Sequence, residues 1–392
     1  MTVIVGAART PIGKFGGALS SLRAVELGGH AIGAAVERSG IDPTSVDEVL
    51  MGHVLQAGEG QITALQAATR AGLPMTVPST TINKVCLSGL AAIGLADRAI
   101  RLGDAATVVA GGMESMSSAP YVLPSARWGA RLGDTELVDV LQHDGLYCAF
   151  DHCTMGESSD HKNVELGIGR EEQDAWGARS HARAASATES GAFAEEIAPL
   201  SVPQRRGDPI EVDTDEGIRA GVTKESLGDL RPAFTMSGTI TAGNASQISD
   251  GAAAVVAMAE ELAAARGAEP LARILAWGQA GGPDATLHER PVESLNVALE
   301  KADLAVRDLH AVEINEAFAA VALHATHALG LSEEVVNVHG GAVALGHPIG
   351  ATGARLVVSL ITILRRRGGG IGAVTLCGGG GQGDALIIEV PA

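Results

Sequence analysis

Aromatic residues, cysteines and positive charges are all scarce in this sequence, and each scarcity excludes something. Phe, Trp and Tyr make up 3% of the chain while hydrophobic residues make up 46%. The core must therefore be built from Ala, Val, Leu and Ile, whose small side chains suit close packing of helices on sheets. Four cysteines in 392 residues do not make a disulfide framework, and a reducing compartment leaves them as thiols, so each needs its own explanation. Lys and Arg number 28 against 46 Asp and Glu, a formal charge of −18. That balance argues against a general nucleic-acid or anionic-membrane surface, and any anionic ligand must find a local basic patch. No apolar run reaches membrane-spanning length, and "MTVIVGAARTPIGKFGG" lacks the charged leader and long apolar core of a secretory signal. The expectation is a soluble, cytoplasmic protein with neither membrane nor nucleic acid as partner.

What is present is an alternating α/β pattern. "TVIVGAA", "SVDEVLMGHV" and "AATVVAGG" read as buried strands, while "LGGHAIGAAVERSG" and "GLAAIGLADRAIRLG" between them read as helices. The second half repeats this. The run ending at Gly52 aligns without gaps with "VALEKADLAVRDLHAVEIN", Val297 to Asn315, both reading helix, polar turn, strand. Further on, "CLSGLAAIGLADRAIRLGDAATVVAGG" from Cys86 pairs with "HPIGATGARLVVSLITILRRRGGGIGAVTLCGG" from His347, each with a glycine three places later. Two pseudo-repeated α/β halves follow, each starting a helix beside a reactive residue. Residues 118–244 break the pattern with frequent Pro, Gly, Asp and Arg, and read as an insertion. The expected division is a first half over 1–117 completed by 245–268, a loop domain over 118–244, and a second half over 269–392.

In "NKVCLSG", Cys86 stands between a polar turn and a helical run. A thiol at a helix start faces unpaired N–H groups and the positive end of the dipole, so its pKa is expected to fall, more so beside an imidazole. The plain alternative is a small buried core residue. Three other stretches bear on that choice. "VEINEAFAA" ends an apolar strand at Asn315-Glu316, where α/β sheets place their ligands. "NVHGGAVALGHPIGATGARL" sets His347 in a glycine-rich loop before a helix, and "AVTLCGGGGQGD" ends a strand at Cys377. Gly378, Gly380 and Gly383 satisfy G-x-G-x-x-G, but they run into the strand "DALIIEV" instead of opening a helix, which argues against dinucleotide binding. Close approach of backbone N–H groups to an oxyanion is the better use.

Taken together, "NKVCLSG", "GGMESMS", "TAGNAS", "NEAFAA", "GGAVALGHPIGATGAR" and "CGGGGQGD" resemble the thiolases in order and approximate spacing, from near Val3 to Val390. The resemblance implies a layered α-β-α-β-α fold of two similar halves, with a loop domain over the active site and a dimer or tetramer as the assembly. It implies acyl-CoA and coenzyme A as substrate and product, with no tightly bound cofactor and no metal. It also assigns roles. Cys86 is similar to the nucleophile that takes the acyl group, His347 to its activating base, and Cys377 to the acid/base at the α-carbon. Asn315 resembles the residue holding a water for the substrate carbonyl oxygen, and Gly379 with Cys86 would offer N–H groups to a tetrahedral intermediate. Arg219 and Ser226 match positions at the nucleotide end of coenzyme A, in a segment that also holds Arg205, Arg206, Lys224 and Arg231. Ser246 matches one beside the pantetheine arm, and Met155 and Leu146 are expected at the substrate.

The demands of the chemistry agree. Joining two acyl thioesters needs one sulfur to hold an acyl group and a second base to deprotonate its partner. The activity implied is reversible condensation of two acetyl-CoA to acetoacetyl-CoA, or coenzyme A-dependent cleavage of a 3-ketoacyl-CoA. A degradative enzyme for longer or unusual acyl chains is the alternative. A decarboxylating or hydroxymethylglutaryl-type condensing enzyme would keep one cysteine, and a non-catalytic acyl-CoA or lipid-binding protein would have lost a reactive residue. Two departures bear on chain length: Thr154 stands where a histidine commonly precedes Met-Gly, and Leu287-His288 where Met-Gly is common. Cys148, His152 and Cys153 fit no standard zinc spacing. Glu316 and Asp250 are expected to orient loops.

Overall fold

The computed structural model describes residues 1–392. Nine strands of one mixed sheet carry the chain: β1 (Thr2–Arg9), β2 (Glu48–Gly52), β3 (Ser79–Ile82), β4 (Thr107–Ser115), β5 (Ser249–Ala259), β6 (Ala272–Gly281), β7 (Ala311–Ile314), β8 (Gly370–Gly378) and β9 (Gln382–Val390). A two-residue strand, Gly13–Lys14, pairs with the start of β5. The order across the sheet is β7-β8-β9-β6-β1-β5-β4-β2-β3. Outward from the central β6/β1 pair it reads the same both ways: antiparallel, antiparallel, then parallel. The two halves are thus related by a pseudo-twofold axis between β1 and β6.

Four helices matter most for the layers: α1 (Ala24–Ser39), α2 (Ser88–Leu102), α3 (Arg290–Ala302) and α4 (Thr352–Arg366). Strand side chains alternate between faces with period two, and the core divides accordingly. Val255 and Ala257 of β5 and Leu386 and Ile388 of β9 pack with Leu90 and Ile93 of α2 and Leu356 and Leu360 of α4. The residues between them face outward: Ala254 and Val256 pack with Val25 and Ile32 of α1, and Ala385 and Ile387 with Leu295 and Leu299 of α3. Helices α2 and α4 therefore lie between the two half-sheets, with α1 and α3 outside. They cross at glycines. A Cβ on Gly353 would stand 2.4 Å from Leu90 N, and one on Gly89 2.9 Å from Ala354 N. Trimming Ala, Gly and Val onto this contact lets two buried helices meet backbone to backbone.

The internal repeat is shifted from the sequence comparison at one place. The helices start at Ser88 and Thr352, so Gly89 corresponds to Gly353 and the position of Cys86 to that of Gly350, not His347. His347 belongs to the loop before the helix, which the half carrying Cys86 replaces with a tighter turn.

Between β4 and β5 lie the long helices Met155–Leu166 and Arg170–Glu189 and three two-stranded ribbons that pair only within themselves. Trp176 and Ser180 of the second helix reach Glu316 at the end of β7, at 2.9 and 2.7 Å. Asn337 Nδ2 and Val343 N donate to the same carboxylate at 2.9 and 3.0 Å. Glu316 thereby fixes the inserted segment to the strand end beside Asn315.

Candidate active site

The turn 83–88 is held by its own polar atoms. Asn83 Oδ1 accepts Val85 N at 3.0 Å, Lys84 N donates to Ser88 Oγ at 2.8 Å, and Ser88 Oγ donates to Val85 O at 2.6 Å. Val85 is forced to φ +49°, a left-handed conformation that a β-branched residue rarely adopts. The distortion brings Cys86 just ahead of α2, with the backbone N–H groups of Gly379 and of Cys86 itself directed at the sulfur.

His347 and Asn315 enter from the other half. His347 N donates to Gln247 O at 3.0 Å. Its Nδ1 lies 2.6 Å from Thr352 Oγ1, whose one proton goes to Pro348 O at 3.0 Å. The hydroxyl can then only accept, so the imidazole proton sits on Nδ1 and Nε2 carries a lone pair. Asn315 Nδ2 is 3.5 Å from that Nε2, while its Oδ1 is buried without a protein partner. Cys377 ends β8 opposite Gly383 of β9 and is fully buried.

Cys86, His347, Cys377, Gly379, Ser246, Met155 and Leu146 line one small cavity of about 60 Å³, closed by Leu287, Ala317, Phe318 and Ile349. A wider apolar cavity of about 270 Å³ adjoins it through Leu146, Met155, Ser246, Phe318, His347 and Ile349, and is continued by Ala233, Phe234 and Ile248. Seven of the residues singled out in the sequence thus surround one space, with Asn315 behind the imidazole. Arg219 and Ser226 are not among the lining residues. Both are exposed, Ser226 Oγ being engaged with Thr223 and Arg219 N with His181 Nδ1. Arg205, Arg206, Lys224 and Arg231 are exposed as well.

The electrostatics overturn one expectation. Burial pushes the Cys86 thiol up to about 12, against the pull of the Gly379 and Cys86 N–H groups. Burial also holds His347 down at about 3, with the Arg355 guanidinium adding to the effect. Cys377 is raised by burial first and by the neighbouring Cys86 sulfur second. A helix start does favour thiolate, but no cation stands close enough to repay the lost hydration in this enclosed cavity. Both shifts favour a neutral thiol and a neutral imidazole.

Thr154, one of the two departures, uses its hydroxyl to cap the helix Met155–Leu166, accepting Glu157 N at 3.2 Å. Leu287 lines the cavity, whereas His288 turns away to Asn163 Oδ1 at 2.9 Å. Cys148 and Cys153 face each other across a short hairpin, and no cluster of three His, Cys, Asp or Glu able to hold a metal is found. Thr352 and Glu114 escaped the sequence reading. Both lie in stretches that carry the family resemblance, and the only signal at Glu114 is a carboxylate closing an otherwise apolar strand.

Nearly the whole length corresponds to two halves of one enzyme family: residues 2–261 match the thiolase N-terminal domain and residues 268–390 the thiolase C-terminal domain. The chain belongs to the thiolase family, and it is an acyltransferase of that class. It is 50% identical over 387 residues to a protein of Mycolicibacterium smegmatis named "Probable acetyl-CoA acetyltransferase", covering 99% of this chain and 100% of that one. Identity is also 50% over 387 residues to the acetyl-CoA acetyltransferase of Thiocystis violacea, covering 99% and 98%. The crystal structure of the Bacillus anthracis acetyl-CoA acetyltransferase superposes with a TM-score of 0.97 at 45% identity, covering 99% of this chain and 98% of that one.

Proposed function

We propose that the protein is an acetyl-CoA C-acetyltransferase, condensing two acetyl-CoA to acetoacetyl-CoA and coenzyme A and running the reverse cleavage. The observation that carries this is the single small cavity shared by Cys86, Cys377, His347 and Gly379. The Cys86 sulfur adds to the acetyl carbonyl as its proton passes to His347 Nε2. The bond from carbonyl carbon to the coenzyme A sulfur then breaks, and the leaving sulfur takes that proton. The N–H groups of Cys86 and Gly379 face the oxygen that becomes negative; losing one such donor typically costs ~3 kcal/mol of transition-state stabilisation. Cys377 passes its thiol proton to His347 Nε2 and then takes the α-proton of the second acetyl-CoA, whose carbon adds to the Cys86-bound acetyl carbonyl; the displaced Cys86 sulfur takes back the proton from His347. The protonated Nε2 of His347 and a water held by the unpartnered Asn315 Oδ1 donate to the enolate oxygen. No oxidant or reductant is needed.

A cavity of about 60 Å³ holds on the order of four water-sized groups, which favours a short acyl chain over the longer ones of a degradative enzyme. The adjoining apolar cavity suits the pantetheine arm, with Arg219 and Ser226 at the nucleotide end. The same reading places the enzyme in the cytoplasm as a homo-oligomer. Tyr121, Trp128, Leu132 and Leu137, each exposed within one stretch of the inserted segment, support self-association. Thiolysis of 3-ketoacyl-CoA esters of increasing length tests the substrate assignment. Acetoacetyl-CoA should be cleaved best, and a preference for medium or long chains overturns it.

A further inference from the structure

The active site requires a turn of the first half to meet a hairpin of the second at fixed spacing. Three contacts make the joint. Leu87 occupies the space that glycine leaves at 378, where a Cβ would stand 2.6 Å from Leu87 Cγ. Gly379 packs on the turn itself, a Cβ there standing 3.4 Å from Val85 Cγ1. The third is ionic: Lys84 Nζ lies 2.7 Å from Asp384 Oδ1, with the carboxylate fully buried and the lysine side chain 25% exposed. It is the one ion pair made by the turn. Lys84 is two residues before Cys86, and Asp384 stands opposite Leu376 in the β8/β9 ladder, next to the Cys377–Gly383 pair. The lysine stem runs beside the Trp277 ring, its Nζ 6.0 Å from the centroid.

We infer that the Lys84–Asp384 ion pair is a positioning clamp, holding the Cys86 turn against the hairpin that supplies Cys377 and the Gly379 N–H. The turn cannot hold this position from its own bonds alone. They set its shape, including the strained Val85, but not its distance from the other half, and strained conformations persist only where the surroundings over-determine them. A buried carboxylate with one cationic partner, flanked by the Gln279 and Trp277 side chains, draws Lys84 to a single place. Displacement of a reacting group by about 1 Å is enough to cost on the order of 100-fold in rate. The clamp acts through Cys86 and Cys377, so it rests on their roles proposed above.

The test compares Lys84→Met, Asp384→Asn, the double variant and Lys84→Arg. The double variant leaves no unpaired buried charge, so its melting temperature should stay near that of the wild type. In it, kcat for acetoacetyl-CoA thiolysis should fall at least tenfold, with KM changed by less than threefold because the channel walls are untouched. Lys84→Arg should recover most of the loss. A double variant with kcat within twofold of wild type, or an arginine variant as impaired as the methionine one, overturns the clamp. Acetylation of Cys86 in the wild type is the control: its absence contradicts the nucleophile assignment, while normal acetylation with unaffected variants contradicts the clamp alone.

Discussion

Glu114 Oε2 accepts the backbone N–H of Gly350 at 2.9 Å, so the end of β4 in one half grips the loop that carries His347 in the other. The same carboxylate takes Val54 N and Leu55 N at 3.2 and 3.1 Å, and burial pushes it up to about 7 against these bonds. Glu114→Ala leaves three buried donors unpaired, each worth about 1–3 kcal/mol. Urea unfolding should show a loss of roughly 3 kcal/mol or more, with reduced kcat as the imidazole loop relaxes. Glu114→Gln, which keeps a carbonyl acceptor, should lose less on both counts. Equal stability in all three proteins would contradict the role given to this carboxylate.

Thr352 decides which imidazole nitrogen is free. In Thr352→Val the Nδ1–H loses its acceptor and the ring can adopt the other tautomer, so acylation should slow by about tenfold, the equivalent of one lost hydrogen bond. Thr352→Ser should stay close to wild type. Stopped-flow measurement of coenzyme A release from acetyl-CoA reads the difference, and a fully active valine variant rules out the tautomer argument.

A neutral thiol–imidazole pair has a distinctive pH signature. With Cys86 near 12 and His347 near 3, alkylation of Cys86 by iodoacetamide should be slow at neutral pH. It should climb about tenfold per unit above pH 8, without a plateau near 6 or 7. A neutral-pH plateau would mean a thiolate–imidazolium pair instead. The sign for stability follows from linkage. The raised thiol contributes stability that is fully present below its unfolded value near 9 and lost as pH rises towards 12. The depressed His347 contributes stability present above 6.5 and lost as pH falls towards 3.

The glycine crossing of α2 and α4 makes a stability prediction away from the chemistry. Gly353→Ala places a methyl 2.4 Å from Leu90 N, and that neighbour is backbone, which cannot step aside. Overpacking of this kind costs about 1–3 kcal/mol or more. Chemical denaturation should show at least that loss, whereas Gly228→Ala, where a Cβ meets nothing within 4 Å and the backbone is helical, should cost less.

Much of the candidate site could be read from the chain because the side chains gathered at it stand where strands end and helices begin. Asn315, Cys377 and His347 follow or precede apolar runs whose periodicity marks those boundaries. The two halves were visible for the same reason, since each repeats helix, turn and strand. Properties set by what encloses a residue were not legible. The direction of the Cys86 shift reverses because residues as distant as Met155, Phe318 and Ile349 enclose the cavity and bury the sulfur. The Lys84–Asp384 pair joins positions 300 residues apart, and the Thr352 hydroxyl matters only through a loop geometry that no spacing encodes. The three-residue offset between Cys86 and His347 was hidden because Gly89 and Gly350 follow each of them at equal distance, while the helices themselves begin elsewhere.

The most direct measurement is to incubate the Cys86→Ala and Cys377→Ala proteins separately with acetyl-CoA, map the acetyl group by peptide mass spectrometry, and follow exchange of the methyl hydrogens in deuterated water. Acetyl on Cys86 in the Cys377→Ala protein, together with loss of hydrogen exchange there and no acetylation in the Cys86→Ala protein, is the predicted result. Acetyl found on Cys377, or undiminished exchange without it, would contradict the division of labour between the two sulfurs.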